Sequence, residues 1–189
     1  ALRQQLQEMP SAGTEPSQGQ LNRLLKYYQS GNVSEAEALA SSLSQQFPSH
    51  PFGWKVLGAL LRQAGRLSES LLPMQKSVEL SPQDAEAYSN LGVTLEELGS
   101  LEEAEASFRQ ALALKPDFSQ AHFNLGNALQ KLGQLAEAEE SFRRVIAMTP
   151  DNVKAHSNLG NMLREQGRLA EAEASFKQAL ALKPDYAEA

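Results

Sequence analysis

Residues 103–118 read EAEASFRQALALKPDF, and the chain repeats this stretch almost unchanged at 171–186, as EAEASFKQALALKPDY. Half of the separation between the two copies is also the constant interval between five prolines, at positions 48, 82, 116, 150 and 184. A fixed period of about 34 residues indicates stacked structural repeats. Two glycine series keep the same step: Gly31, Gly65, Gly99, Gly133 and Gly167, and Gly58, Gly92, Gly126 and Gly160.

Each repeat contains two apolar patterns of helical period. In the third repeat, Leu91 and Leu95 belong to the first pattern, and Ala104 and Phe108 belong to the second. Gly99 lies between them and suits the left-handed residue that ends a helix. Aligned on the prolines, the sequence predicts five repeats, at residues 17–50, 51–84, 85–118, 119–152 and 153–186.

The helix ends carry signals of their own. The five periodic prolines are expected in the first turn of a new helix, where a missing N–H costs nothing. Each second helix has a glutamate near its start, which favours the positive helix end. Where this glutamate follows Asn32 or Ser100 by three residues, the pair is typical of a capping box. The glutamates are Glu35, Glu69, Glu103, Glu137 and Glu171.

Composition narrows the class of partner. The 189 residues carry a net charge of −6 with a pI near 5.2, so no electrostatic footprint for nucleic acid or an anionic membrane is present. No apolar run approaches the ~18 residues that span a bilayer, so we expect no membrane insertion. Cysteine is absent, which excludes thiolate metal sites and leaves the compartment open, with a cytoplasmic location favoured.

These residues resemble the tetratricopeptide repeat family. The family signature W-x₂-L-G-x₂-Y, then A-x₃-F, A and P is similar to Trp54-Leu57-Gly58-Leu61 and to Ala104-Phe108-Ala111-Pro116. The resemblance covers about residues 17–186 and is similar to the arrays of bacterial proteins and of O-linked N-acetylglucosamine transferases. It implies an all-α fold, a right-handed α-solenoid superhelix of about ten helices in five antiparallel pairs.

Some positions depart from that pattern. The first repeat has Arg23-Leu24 and Ala40 where Leu-Gly and Phe are expected, so it is predicted to be an atypical terminal unit. Pro73 falls within a second helix, where we expect a kink rather than a break.

The two ends of the chain lie outside the repeats. Residues 1–16 are predicted to form a segment with a possible short helix, with a linker composition over residues 10–20. Residues 187–189 read as the truncated start of a further helix.

The resemblance also implies a concave groove lined by the first helices. Asparagine recurs at the sixth and ninth places of the repeats, and its side chain offers two donors and one acceptor. It can therefore bind the backbone of an extended peptide, although a surface asparagine is equally compatible with simple solvation. The predicted groove residues are Asn22, Lys55, Arg62, Asn90, Asn124, Asn127, Asn158, Asn161 and Arg164.

Groove charges argue against a strongly charged ligand. The ionisable residues expected there sum to +1 against −6 for the chain, which places the acidity on the second helices. The carboxylate clamp of chaperone-binding relatives is predicted to be absent, because Ala59, Gln120 and Asn124 stand where Asn, Lys and Arg are needed.

No residues converge on a reaction. His122 and His156 stand one repeat apart and are expected to pack rather than to bind a metal. We find no catalytic set, phosphate loop, cofactor motif or metal site, so the sequence predicts a protein that is not an enzyme.

The leading hypothesis is a protein-interaction scaffold that binds an extended peptide or a short helix of a protein partner. Two alternatives stay open: the substrate-recognition arm of a larger enzyme, of glycosyltransferase or sulfotransferase type, or a self-assembling module. For the latter, Phe176, Ala179 and Leu180 form an apolar face that favours head-to-tail self-association.

Overall fold

The computed structural model describes residues 15–185, which form ten α-helices and no β-strand. The second helices of the pairs begin at a constant interval along the chain, from Val33 to Leu169. The fold is thus an all-α solenoid of helical repeats, and the prediction of about ten repeat helices is confirmed. The helices are α1 Gln18–Gln29, α2 Val33–Gln46, α3 Pro51–Gln63, α4 Leu67–Leu80, α5 Ala85–Glu97, α6 Leu101–Leu114, α7 Ser119–Lys131, α8 Leu135–Met148, α9 Val153–Glu165 and α10 Leu169–Leu182.

The chain divides into two compact units, one ending at Pro82 and one beginning at Gln83. The first unit contains α1 to α4 and the second contains α5 to α10. Within each unit, every helix packs against the next one along the chain. Because the connections are short, consecutive helices run antiparallel.

A glycine ends the first helix of each pair, as the sequence predicts. Gly99 has a φ of 84°, and its N–H donates to the Glu96 carbonyl at 3.0 Å. The Ser100 N–H donates to the Leu95 carbonyl at 2.9 Å. These two bonds define a Schellman motif, which requires the left-handed backbone that glycine adopts without a steric penalty.

The periodic prolines stand at helix ends, not in first turns, so that part of the prediction is wrong. Phe47 is the C-cap of α2 and Pro48 follows it directly, while α3 begins only at Pro51. Proline disfavours continuation of a helix, because its ring clashes with the carbonyl one turn back. Its position after the C-cap therefore stops the second helix.

The predicted capping boxes are also corrected. Asn32 and Ser100 are N-caps with ψ near 70°, and neither side chain makes a cap hydrogen bond. A capping side chain needs the extended backbone seen at Ser17, where ψ is 152°. There the Gln20 N–H donates to Ser17 Oγ, and the Ser17 N–H donates to Gln20 Oε1 at 2.8 Å. The predicted linker at residues 10–20 therefore extends too far, because helix α1 already begins at Gln18.

The core of the first unit is built around α2. Leu24, Ala40 and Leu43 are buried there with Val56 of α3. Helix α4 runs continuously through Pro73, so the helix is not broken there, as expected.

In the second unit, each first helix has a glycine that admits an aromatic ring from the following helix. A Cβ added at Gly92 would lie 2.6 Å from Phe108, and one at Gly126 would lie 2.8 Å from Phe142. Both phenylalanine side chains are fully buried. The glycines therefore allow a close helix–ring contact that any other residue would obstruct.

Eleven large apolar side chains follow the helical pattern of the repeats, and we expect such positions to face the core; nine of them are buried and two are not. Leu57 packs at the edge of the first unit's core and is half-buried. Phe176 is half-buried because, among the described helices, α10 packs against α9 alone. The nine are Leu61, Leu91, Leu95, Phe108, Leu125, Leu129, Phe142, Leu159 and Leu163.

Candidate functional site

The first helices of the second unit, α5, α7 and α9, carry a set of side-chain amides. We call this set the amide face. Its members stand at the second, sixth or ninth place of their repeats. Residues four and seven positions apart lie on the same side of a helix, so these places share one side of each first helix. The amide face consists of Asn90, Gln120, Asn124, Asn127, Asn158 and Asn161.

Two of the predicted groove residues contact each other across neighbouring helices. Asn158 Nδ2 of α9 donates to Asn127 Oδ1 of α7 at 2.8 Å, and both side chains are half-buried. An asparagine has two N–H donors and one carbonyl acceptor. The pair therefore keeps the Asn127 amide N–H groups and the Asn158 carbonyl oxygen for another partner.

A second amide pair lies along α7. Gln120 Nε2 donates to Asn124 Oδ1 at 2.9 Å, and Asn124 is only 9% exposed. This bond orients Asn124 so that its amide N–H groups remain as donors. Gln120 is absent from the predicted site, although its spacing of four residues from Asn124 could have indicated the pair.

Asn90 and Asn161 complete the amide face at its two edges. Both are half-buried, and neither side chain makes a hydrogen bond within residues 15–185. The Asn90 backbone carbonyl accepts from Thr94 Oγ1 at 3.2 Å, which leaves the Asn90 side chain uninvolved.

Charged side chains flank the amides. Lys131 Nζ lies 2.8 Å from Glu96 Oε1, so this pair joins α7 to α5. On α9, Lys154 and Arg164 are exposed and have no carboxylate partner among the residues described. Arg164 instead places its guanidinium 6.0 Å from the centre of the Phe176 ring.

The remaining predicted site residues belong to the first unit, and the structure does not join them to one another. Asn22 is exposed and accepts from Gln18 Nε2 at 2.9 Å. Lys55 and Arg62 are half-buried on α3, and each already interacts with another residue.

The second helices present a different surface, built of ion pairs between consecutive repeats. Arg168, just before α10, donates to Glu171 at 2.6 Å and also contacts Glu139 of α8. The hydrogen bonds from Arg168 hold the pKa of both carboxyl groups below its usual value. Arg168 therefore joins the start of α10 to α8 through ion pairs with both glutamates.

Arg66 makes the same arrangement in the first unit. It donates to Glu69 at 2.7 Å and contacts Glu37 of α2. The bond to Arg66 lowers the pKa of Glu69. Where an arginine precedes a second helix, the glutamate near the helix start therefore forms an ion pair with it.

His122 and His156 each contact the carbonyl of the proline that precedes their helix. His122 Nε2 lies 2.9 Å from the Pro116 carbonyl, and His156 Nε2 lies 2.9 Å from that of Pro150. Trp54 Nε1 donates to the Pro48 carbonyl at the same distance, so all three rings perform the same task. Within residues 15–185, no group of three or more His, Cys, Asp or Glu side chains could hold a metal ion.

The helices are short relative to a bilayer. Across residues 15–185, none is long and apolar enough to cross a membrane.

Comparison with known families identifies the repeat. The family described as tetratricopeptide repeat matches residues 21–85 and 123–187, and related models of the same repeat match residues 95–133 and 74–106. The matches cover well over half of the chain. Fold and surface together define a helical-repeat protein without a visible catalytic centre among the described residues. The chain belongs to the tetratricopeptide repeat family.

Solved structures share this fold at low sequence identity. The crystal structure of YrrB, described as a TPR protein with an unusual peptide-binding site, has a TM-score of 0.81 and 19% identity, and covers 100% of this chain and 95% of its own. The crystal structure of MamA has a TM-score of 0.79 and 23% identity, and the match covers 87% of this chain and 96% of the MamA chain. For MamA from Desulfovibrio magneticus RS-1 the TM-score is 0.80 and the identity is 20%, and the match covers 88% of this chain and 94% of the MamA chain. No curated protein matches the chain.

Proposed function

We propose that this chain is a protein-interaction scaffold, not an enzyme, and that it binds an extended peptide of a protein partner on its amide face. The observation that carries the proposal is the 2.8 Å bond between Asn158 and Asn127, which fixes two amides across neighbouring helices. Their unused donors and acceptor match the alternating N–H and C=O groups of an extended backbone. The fold shared with YrrB, a peptide-binding TPR protein by its description, supports the same interpretation.

Burial supports binding over simple solvation. Asn124 is 9% exposed and bonded to Gln120, so its remaining donors are held in place before a ligand arrives. Prior orientation reduces the entropy that ordering a side chain costs on binding. A freely rotating surface asparagine would offer the same groups without that advantage.

The test compares two triple variants in a pull-down. Asn90, Asn124 and Asn158 are changed to alanine in one variant. The matched control changes three exposed glutamines of the second helices, Gln75→Ala, Gln110→Ala and Gln178→Ala. Partners that bind the amide face should be lost from the first variant and retained by the second, with both proteins folded by circular dichroism. Equal recovery by the two variants would remove the amide face from the mechanism.

Self-association is a second candidate, favoured by the apolar surface of α10. Leu180 is 39% exposed and Leu182 is 43% exposed, whereas Ile146, one repeat earlier, is half-buried. The equivalent face within the stack is covered by a first helix, so a first helix of another copy could cover this one. Light scattering over a concentration series, with Leu180→Lys beside the native chain, tests the contact. A monomer at every concentration would exclude it.

A further inference from the structure

Charge changes in a regular order across the three helices of the amide face. At the second place of the repeat, α5 has Glu86, α7 has Gln120 and α9 has Lys154. We call these three residues the start row, because they lie near the helix starts.

The same order recurs near the helix ends. At the twelfth place, α5 has Glu96, α7 has Gln130 and α9 has Arg164. We call these three residues the end row. Both rows therefore step from acidic through neutral to basic, and the amides lie between them.

The positive end of this gradient is uncompensated. Lys154 and Arg164 have no carboxylate partner among the described residues. In contrast, every lysine and arginine within α4, α6, α8 and α10 pairs with a glutamate, namely Lys76, Arg109, Arg143, Arg144 and Lys177. Among the described helices of the second unit, the cations without a carboxylate partner are therefore Lys154 and Arg164, which lie on the surface where we place the ligand.

The negative end is partly satisfied, and the inference does not depend on it. Glu96 pairs with Lys131 at 2.8 Å, and Glu86 and Glu97 interact with other residues. They still make α5 unfavourable for a carboxylate. An acidic group therefore finds its best position over α9.

Of the two cations, Lys154 has the more favourable surroundings. It lies in the first turn of α9, where the helix dipole adds positive potential. An anion lies near each cation in the sequence, Asp151 before Lys154 and Glu165 after Arg164, so the helix dipole is the difference between the two positions. The start row should therefore contribute more to selection of a carboxylate than the end row.

We infer that the segment bound on the amide face is charge-polar, with acidic side chains over α9 and neutral or basic ones over α5. This inference rests on the proposed function. Neighbouring packed helices lie about 8–10 Å apart, so an extended segment of roughly six residues would reach from α5 to α9. The amides hold its backbone, and the gradient sets the direction in which it lies.

Labelled peptides of roughly twelve residues, longer than the crossing requires, test this inference. All share a neutral middle of Ser, Thr and Ala. One peptide carries two aspartates at its amino end, and another carries them at its carboxyl end. Two further peptides carry two lysines at one end or the other, and a fifth is uncharged. Affinities are measured by fluorescence anisotropy at low and high salt. The proteins are the native chain, Lys154→Gln/Arg164→Gln, and the control Arg144→Gln/Lys177→Gln. The control makes the same change of net charge on the second helices.

We expect one of the aspartate peptides to bind the native chain about three to ten times more tightly than the neutral peptide at low salt, as exposed ion pairs allow. The preference should be lost in Lys154→Gln/Arg164→Gln and kept in Arg144→Gln/Lys177→Gln. If the neutral and aspartate peptides bind equally, or if the preference survives the first variant, the inferred charge polarity of the ligand is wrong. The proposed function as a peptide-binding scaffold would be unaffected. If no peptide binds, the proposed function and the gradient are both overturned.

Discussion

Gly126 of α7 faces the ring of Phe142 of α8 so closely that a Cβ on the glycine would lie 2.8 Å from Cε1 of the ring. The ring is fully buried and also meets Phe123 edge-on, with centroids 6.0 Å apart. It therefore has little space into which it can move. Gly58 has the same place in α3, but it faces Met74, whose unbranched side chain can rearrange.

Gly126→Ala should therefore lower stability although alanine is the better helix former. Overpacking a core costs about 1–3 kcal/mol, and the gain in helix propensity returns at most about 1 kcal/mol. We expect a net loss of about 1–2 kcal/mol on urea denaturation. Gly58→Ala is the comparison and should cost less, because the unbranched Met74 side chain can adjust more readily than the confined ring, although Met74 is also buried. A Gly126→Ala protein as stable as the native chain would show that the ring is not confined.

Truncation of the ring itself should cost more. Phe142→Ala leaves a cavity in the middle of the second unit, and such changes cost about 3–5 kcal/mol. Leu72→Ala, at a side chain that is 59% exposed, should change stability by less than about 0.5 kcal/mol. Thermal and urea midpoints of the two variants measure the difference. Similar losses in both would contradict the burial of Phe142.

Arg168→Gln should make the melting temperature of the chain less dependent on pH. The pKa values of Glu139 and Glu171 are lowered in the folded state, chiefly by hydrogen bonds from Arg168. Such groups stabilise the fold above their ordinary pKa of 4.5, and this contribution is lost as the pH falls through the lowered folded-state value. The native chain should therefore melt above the variant near neutral pH, and the two should converge below about pH 4.5.

The control for this experiment is Arg144→Gln. Arg144 is exposed, and its nearest carboxylate, on Glu140, is 3.8 Å away. Melting curves of this variant should follow those of the native chain throughout the acid range. If Arg168→Gln also follows them, the contacts of Arg168 contribute nothing measurable.

His122 can be tested by preserving or removing its donor. His122→Trp should retain the hydrogen bond to the Pro116 carbonyl, because Trp54 makes the equivalent bond to Pro48 at 2.9 Å. His122 lines a cavity of about 450 Å³, which gives the indole room. His122→Phe should lose about 0.5–1.5 kcal/mol, the usual net contribution of a hydrogen bond. Equal stability of the two variants would show that the donor is unimportant.

Much of the fold could be predicted from local patterns. Gly99 and its equivalents end first helices as expected, because a positive φ is a property of one residue and of the bonds beside it. The sequence pattern places Pro48 and its equivalents at the wrong end of the junction, because proline is tolerated both at a helix start and just after a helix end. Spacing alone does not separate those two positions.

The candidate site was predictable only as a set of residue types. The recurrence of asparagine indicates Asn127 and Asn158 separately, at the ninth and sixth places of their repeats. That these two amides bond to each other depends on how far one helix is displaced along its neighbour. No local signal specifies that displacement to within a hydrogen-bond distance.

The sequence by itself therefore determined the family and the helices of the described repeats with their constant spacing, because helical hydrogen bonds and glycine turns join residues only a few positions apart. Only the tertiary structure decided which side chains meet across helices: Asn158 with Asn127, Lys131 with Glu96, and Arg168 with Glu139. The partners in these contacts lie almost a whole repeat or more apart in the chain. The contacts form only where packing of the cores sets the distance between neighbouring helices.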